Sequence, residues 1–393
     1  MTVVGDNHWS YFEAHGLDPD EVFSALAMEH GGYRSAGRRS QIGTRPEYEV
    51  GYSREGLPFI HCTEGKRQAE AIACDVAERL GTKRRWCTTV MTGHFRVSRP
   101  FVCDDVQVRP IEDLRALPVS SMPGGLSELP HQPSLNAALV DFGYTGAEDE
   151  FINMLRLQSA TRDVCNLLTL TTLRPMSRLF GEEHWVGVWD PASSEIRNAR
   201  LSGGFSHPEV GEKGELPAPS EVGRMDTIDH ARFAAGALDL LSDGEQRIIS
   251  TFPKLLCRLH SLEPTQRRMA QVALEWYARG RRALTVDEAI VAHTTAIEAL
   301  LPPSTSGRCS ECKAPKHDIS KRVDQLLDVY AGAEMRAEFR KVVYQQRSRI
   351  VHGALLYAID EPMMTVGRRS HLDVMCVRRF GATGAAELAA QPT

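Results

Sequence analysis

Covalent staples, surplus positive charge and long apolar runs are all scarce in this chain. Its nine cysteines are scattered along 393 residues apart from one C-x-x-C pair. That spacing builds no disulfide framework in a chain of this length, so most thiols are expected to be reduced and partly buried. Lys and Arg total 46 against 51 Asp and Glu, for a net charge of -5 and a pI near 6.3. A protein that coats nucleic acid through bulk charge is thereby excluded, and any contact with RNA must be local. No window approaches the roughly 18 consecutive apolar residues of a membrane-spanning helix. Met1 to Gly16 lack the basic and then apolar regions of a signal peptide, which gives the expectation of a cytoplasmic protein with no membrane partner. Walker loop, G-x-G-x-x-G fingerprint, nucleophile elbow and HExxH are missing from the first 225 residues, and with them the chemistries they mark. What is present, 42% hydrophobic and 25% charged residues, is an ordinary globular composition long enough for about two or three domains.

Periodicity divides the chain into a mixed first part and a helical second part. Near the start, Asp18 and Pro19 open a helix that Gly31 and Gly32 close, and Arg34, Arg38, Arg39 and Arg45 read as a basic loop, either one that touches a partner or, as is more common, one that is only solvated. Tyr48 to Tyr52 and Leu57 to Ile60 read as short strands. A helix is predicted from Thr63 to Leu80, with Ala69, Ile72, Ala73, Val76 and Leu80 facing inward. Alternation around Phe95 to Val97 and Val106 to Val108 predicts further strands, and Ala138, Val140 and Phe142 share one face of another that Leu139 interrupts. Pro118 to Pro133 reads as a loop, Glu148 to about Leu173 as a long helix, and Trp185 to Trp189 with Ile196 to Leu201 as a hairpin around Asp190 to Ser194.

Ser202 to Val222, dense in Gly, Pro, Ser and Glu, is the expected linker. Helices are predicted after it over Ile228 to Leu241, Glu245 to His260 with a kink at Pro253, Thr265 to Arg282, Thr285 to Leu301, Asp318 to Tyr330 and Ala333 to Val351. Thr285 and Glu288 form a capping-box pattern. The expected class is therefore α+β. A mixed α/β domain over residues 1–222 is followed by an all-α bundle over 226–360 and a C-terminal extension over 361–393.

The chemistry-bearing stretch is the last predicted helix. Met335, Phe339, Val342, Val343, Gln346 and Ile350 recur every three or four residues, while Arg336, Arg340 and Arg347 fall on an adjoining strip. His352 lies at its C-terminal end, just before Gly353, where the helix dipole favours a protonated imidazole. An arginine fork with an imidazole that titrates near neutrality is the equipment for metal-free attack on a phosphodiester. On an unbroken helix Arg347 and His352 stand about 140° apart. Either the helix breaks at His352 or a second chain completes the site. The bare R-x4-H pattern carries little weight, since roughly one such pair is expected by chance in a chain of this composition.

Its context carries more. Ala273-Leu274-Glu275-Trp276-Tyr277, Asp287-Glu288-Ala289-Ile290, Ala296-Ile297-Glu298-Ala299-Leu300-Leu301 and Lys321-Arg322-Val323-Asp324-Gln325-Leu326-Leu327 precede Tyr344 and Arg347-Ser348-Arg349-Ile350-Val351-His352-Gly353. In wording and order these segments resemble the HEPN superfamily, in particular its Apea-like branch, over about the last third of the chain. The resemblance implies a helical bundle that dimerises and places two R-x4-6-H motifs at the interface as a metal-independent RNase site. Arg347 and His352 match the motif, and Ser348 fills its variable polar position. The tyrosine that some members carry two residues after the histidine is replaced here by Ala354. Ser348, Arg349, Arg340 and Tyr344 are the candidate RNA contacts, and Glu298 either orients an arginine or forms a salt bridge of structural value.

The branch implies bacterial antiphage defence, an abortive-infection effector that cuts cellular RNA such as tRNA when its N-terminal domain senses a phage-derived trigger. The competing expectation is an RNA-binding or dimerisation module that keeps the motif without cleaving. No cofactor is required by the first expectation. Cys309 and Cys312 could supply half of a structural zinc site, with His317 or with Cys257 and His260 beside them, or could be two free thiols in a loop.

Overall fold

In the computed structural model, the described residues are 6–15, 17, 19–29, 34–36, 39–44, 48–52, 58–81, 83–93, 97, 99–103, 105–118, 135–172, 174–178, 184–190, 192–193, 195–201, 207–215, 227–228, 248–249, 251–283, 285–301, 319–330 and 345–351. They contain both helices and sheets, so the class is α+β. By contact the chain forms two compact units, residues 1–86 with 143–160, and residues 87–142 with 161–393. The expected boundary at residue 222 and the expected extension from 361 lie outside the described residues. No described helix is long and apolar enough to cross a membrane.

The first unit holds helices α1 (Ser10–Ala14), α2 (Pro19–Glu29) and α3 (Lys66–Arg79) around a four-stranded antiparallel sheet, β1 (Arg34–Ala36), β2 (Arg39–Thr44), β3 (Tyr48–Tyr52) and β4 (Pro58–Cys62) in that order. Arg34 and Arg39, expected in a basic loop, stand instead in the paired strands β1 and β2. The inward stripe of α3 is as its spacing requires: Ala69, Ala73, Val76 and Leu80 are buried, and Ile72 packs partly buried against the same core. Gly65 precedes this helix at φ 73°, a left-handed conformation that glycine adopts without strain. Trp9, Phe12, Phe23, Leu26, Val50 and Ile60 fill the centre, with Ile152 from the second stretch of the unit. Arg156 locks that stretch in place. Its Nε and Nη2 donate to the two carboxylate oxygens of Glu21 at 2.8 Å each, and its Nη1 donates to the Gly146 carbonyl at 3.0 Å.

The second unit is organised on a sheet ordered β11–β10–β7–β8–β5–β12, with β6 beside β7 and β9 beside β5. These strands are β5 (Lys83–Gly93), β6 (Phe101–Cys103), β7 (Val106–Pro118), β8 (Leu135–Gly146), β9 (Met176–Arg178), β10 (His184–Asp190), β11 (Glu195–Leu201) and β12 (Gly211–Lys213). The divisions between the units fall inside β5, β8 and α4 (Glu150–Thr172). β10 and β11 form the expected hairpin, Trp185 opposite Leu201. Burial on both faces explains why Leu139 broke the pattern of β8: Ala137, Ala138, Leu139, Val140, Asp141 and Phe142 are all buried. Phe95 and Arg96, expected in a strand, lie outside the described residues; β5 before them is buried from Cys87 to Gly93, likewise without alternation. The stretch expected as linker contributes β12 to the sheet edge, where Glu212 and Lys213 blunt further pairing.

Ile228 and Ile248, both expected in helices, belong to a short parallel pair, β13 (Thr227–Ile228) with β14 (Ile248–Ile249). The next helix, α5 (Phe252–Ser261), starts later than predicted, and Pro253 sits in its first turn rather than at a kink. A first-turn N–H has no intrahelical partner to lose, so proline is well tolerated there. Then follow α6 (Pro264–Arg282), α7 (Val286–Ala299), α8 (Ile319–Tyr330) and α9 (Gln345–Val351). The capping box is formed: Glu288 N donates to Thr285 Oγ1 at 3.2 Å and Thr285 N to Glu288 Oε2 at 3.4 Å. α6 and α7, joined by residues 283–285, pack against each other, and α8 and α9 both pack on α7.

At the α6–α7 contact the imidazole of His293 is buried, its ring 5.4 Å from that of Tyr277. Burial and the charge of Arg281 push its pKa down to about 3, so it is neutral in the folded protein. Gly280 leaves the room it needs, since a Cβ there would lie 2.6 Å from the ring. Gly280→Ala should therefore cost about 1–3 kcal/mol of stability by overpacking, read as a lowered urea midpoint. An unfolded imidazole titrates near 6.5 and the folded one near 3. Unfolding thus takes up about one proton between those values, and stability, complete above pH 6.5, should fall by up to about 1.4 kcal/mol per unit as the pH drops towards 3. His293→Phe should flatten this acid limb; an unchanged limb would show that the proton is taken up elsewhere.

Candidate functional site

Of the residues singled out at the C-terminus, Arg347, Ser348 and Arg349 lie on the described helix α9, while His352, Arg340, Tyr344, Cys309 and Cys312 lie outside the described residues. α9 has no buried residue. Ser348, Arg349 and Val351 are exposed, and Gln346, Arg347 and Ile350 are partly covered; the rest of the expected inward stripe, Met335 to Val343, lies outside the described residues. Lys321 and Arg322 stand on α8, the first exposed and the second partly so.

Arg347 is tied to α7. Its Nη2 donates to Glu298 Oε2 at 3.1 Å, with the arginine side chain 28% exposed and the glutamate 15%. Its Nε is buried and has no hydrogen-bond partner. Two of the segments that carried the family resemblance, those of Ala296 to Leu301 and Arg347 to Gly353, thus meet at the residues Glu298 and Arg347. Among the described residues this guanidinium has one carboxylate acceptor, and the helix that carries it exposes Gln345, Ser348, Arg349 and Val351. Such a group can take an oxyanion.

Cys257 and His260, weighed as partners for a zinc ion, are both exposed on α5. Among the described residues no group of three or more His, Cys, Asp or Glu side chains is arranged to hold a metal ion. Cys62, Cys74, Cys87, Cys165 and Cys257 are free thiols. Burial pushes Cys62 up to about 11, and burial with the charges of Glu212 and Asp141 pushes Cys87 up to about 12, which leaves both inert.

A second cluster was not foreseen. Residues of α4 after Ala160 meet α6 through a polar seam: Gln271 Nε2 donates to Asp163 Oδ2 at 2.7 Å, and Asn166 Nδ2 donates to Glu275 Oε2 at 3.0 Å. Arg279 Nε donates to the other oxygen of Glu275 at 3.1 Å. The two carboxyls are driven apart. Burial raises the pKa of Asp163, against the pull of the Gln271 hydrogen bond and the charges of Arg162 and Arg267. Burial also pushes Glu275 upward, but the hydrogen bonds from Asn166 and Arg279 and the charge of Arg282 outweigh it and hold the carboxyl below its ordinary value. Glu275 lay in a segment quoted for its wording alone, and amides such as Asn166 and Gln271 carry no periodic signal.

Comparison of the chain with family models, with curated proteins and with solved structures gives no match.

The raised pKa of Asp163 means that the folded state holds its proton more tightly than the unfolded state does. Stability from this group is therefore present at low pH and is lost as the pH rises through the carboxylate range. Asp163→Asn keeps an oxygen for Gln271 and removes the buried charge, so its urea midpoint should exceed that of the wild type at pH 7 and converge with it near pH 4.

Proposed function

We propose that this protein is a metal-independent endoribonuclease of the HEPN type. The observation that carries the reading is Arg347: a guanidinium held through Nη2 by Glu298, its one carboxylate partner among the described residues, on a helix with no buried residue and five positions before His352 in sequence. In the proposed reaction an imidazole takes the 2′-hydroxyl proton, the 2′-oxygen attacks phosphorus, and the bond to the 5′-oxygen breaks. Arg347 neutralises the non-bridging oxygens as charge builds on them. The products carry 2′,3′-cyclic phosphate and 5′-hydroxyl ends. Two protomers together supply the groups that would stand about 140° apart on one unbroken helix. By resemblance, the setting is antiphage defence by abortive infection, with tRNA or other cellular RNA as substrate and the N-terminal part responding to a phage-derived trigger.

The test is end-labelled tRNA or total RNA incubated in EDTA. Wild type should cleave it, His352→Ala and Arg347→Ala should cleave about 10²- to 10⁴-fold more slowly while still binding, and size-exclusion chromatography should give at least a dimer. Binding without cleavage by every protein would replace the enzyme with a non-catalytic RNA-binding module. Loss of wild-type activity in EDTA would replace it with a metal-dependent enzyme.

A further inference from the structure

The chain is acidic overall, yet one stretch reverses the balance. Phe252 to Arg282, which form α5 and α6, carry seven lysines and arginines against two acids, Glu263 and Glu275, in a protein of net charge -5. Much of that charge faces outward: Lys254, Arg258 and Arg268 are exposed, and the Arg279 side chain is 56% exposed. Glu275, the one acid within α6, is engaged at both oxygens, by Asn166 and by Arg279. Lys254 and Arg258, four positions apart, share a face of α5 with exposed Cys257 and Ser261.

α6 has three sides. Gln271 and Glu275 face α4, while Tyr277 and Gly280 face α7. On the remaining side, at 100° per residue, Arg268, Val272, Trp276 and Arg279 fall within a sector of about 80°. Val272 and Trp276 are partly exposed there, and the Arg279 guanidinium lies over the indole, 5.1 Å from its ring centre. A side chain as large and apolar as tryptophan gains most where its area is covered. This one stands instead between two exposed arginines about 17 Å apart along the helix, the length of about five stacked nucleotides.

We propose that this side of α6 is a binding track for single-stranded RNA, with the exposed cations of α5 adding to its attraction. The choice of RNA over other polyanions rests on the nuclease reading above; the face itself does not. Arg268 and Arg279 take phosphate oxygens, and a base stacks on the layer made by the Trp276 indole and the Arg279 guanidinium, both of which are flat. Contacts of this kind tolerate any base and weaken with salt. An acidic protein would satisfy the arginines equally, but it supplies no flat ring for the indole. None of these residues belongs to the R-x4-H motif, so they govern how the strand is held and not how it is cut.

The experiment is fluorescence anisotropy of the full-length protein with a labelled single-stranded oligoribonucleotide whose 2′-hydroxyls are methylated, so that it cannot be cut by its own 2′-oxygen, titrated at several salt concentrations. Far-UV circular dichroism establishes equal folding of the variants. Trp276→Ala should weaken binding about tenfold, and Trp276→Phe should restore most of it. Arg268→Gln combined with Arg279→Gln should reduce the slope of log K against log salt by about 1.4. Lys66→Gln combined with Arg67→Gln, at two exposed cations of α3, should leave that slope as it is. The proposal is overturned if the α6 variants bind as the wild type does, if the α3 pair lowers the slope as much, or if an oligoglutamate of the same charge binds as tightly. Cleavage of unmodified RNA by a wild type whose α6 variants bind normally would remove the track and leave the nuclease. Weakened binding by the α6 variants, with no cleavage by the wild type, would remove the nuclease and leave the track.

Discussion

A carboxylate taken almost fully out of water organises the larger sheet. Asp141 is 1% exposed, and the cost of burying its charge is met by four donors drawn from neighbouring strands. Thr88 Oγ1 reaches it from β5 at 2.6 Å, Gln107 Nε2 from β7 at 3.1 Å, and Arg109 closes a two-pronged grip from the same strand. Arg109 then passes the tie onward, its Nη1 donating to Glu209 at 2.7 Å in the segment that leads to β12. Three adjacent strands and the approach to the edge strand are thereby held in one register. Slipping any of them by a residue would turn its donor to the opposite face and leave a buried charge uncompensated.

The C-terminal helices meet the same electrostatic demand differently. In the seam between α4 and α6, acids and amides face each other inside a helix contact, where a donor for every buried oxygen matters more than opposite charge. At Glu298 and Arg347 the pair stands nearer to solvent and is only half closed. Within one chain, arginine therefore holds a carboxylate in two ways, through both nitrogens of one edge, as at Arg109 and Arg156, or through one, as at Arg279 and Arg347. The difference lies in what the partner carboxylate leaves unfilled.

Helices that cover a core on one stripe were legible from the residues alone. The spacing of Ala69, Ala73 and Val76 and the pairing of Thr285 with Glu288 each correspond to what is observed, because both signals depend on neighbours within a turn or two. Strands buried on both faces were harder. β5 and β8 have no polar side to alternate with, so period two disappears where burial is deepest. The two-residue strands around Thr227 and Ile248 are set by a long-range pairing that no local pattern announces. In the candidate site, Arg347 was legible from its spacing to His352 and Glu298 from the wording of its segment. Which single oxygen holds which nitrogen was not, because that depends on how α7 and α9 cross. The Asp163 and Glu275 seam gave no warning for a like reason: helix–helix register, rather than either helix's own sequence, brings an amide opposite an acid.

The first unit is discontinuous, made from residues 1–86 and 143–160. During synthesis its opening helices and four-stranded sheet leave the ribosome well before Ile152 and Arg156, which complete its core and bind Glu21. For the time needed to translate residues 87–142, the nascent segment carries an uncovered apolar surface. That interval is a window for chaperone capture. It also means that a gene fragment ending at codon 86 encodes an incomplete hydrophobic centre, however natural the cut looks on paper.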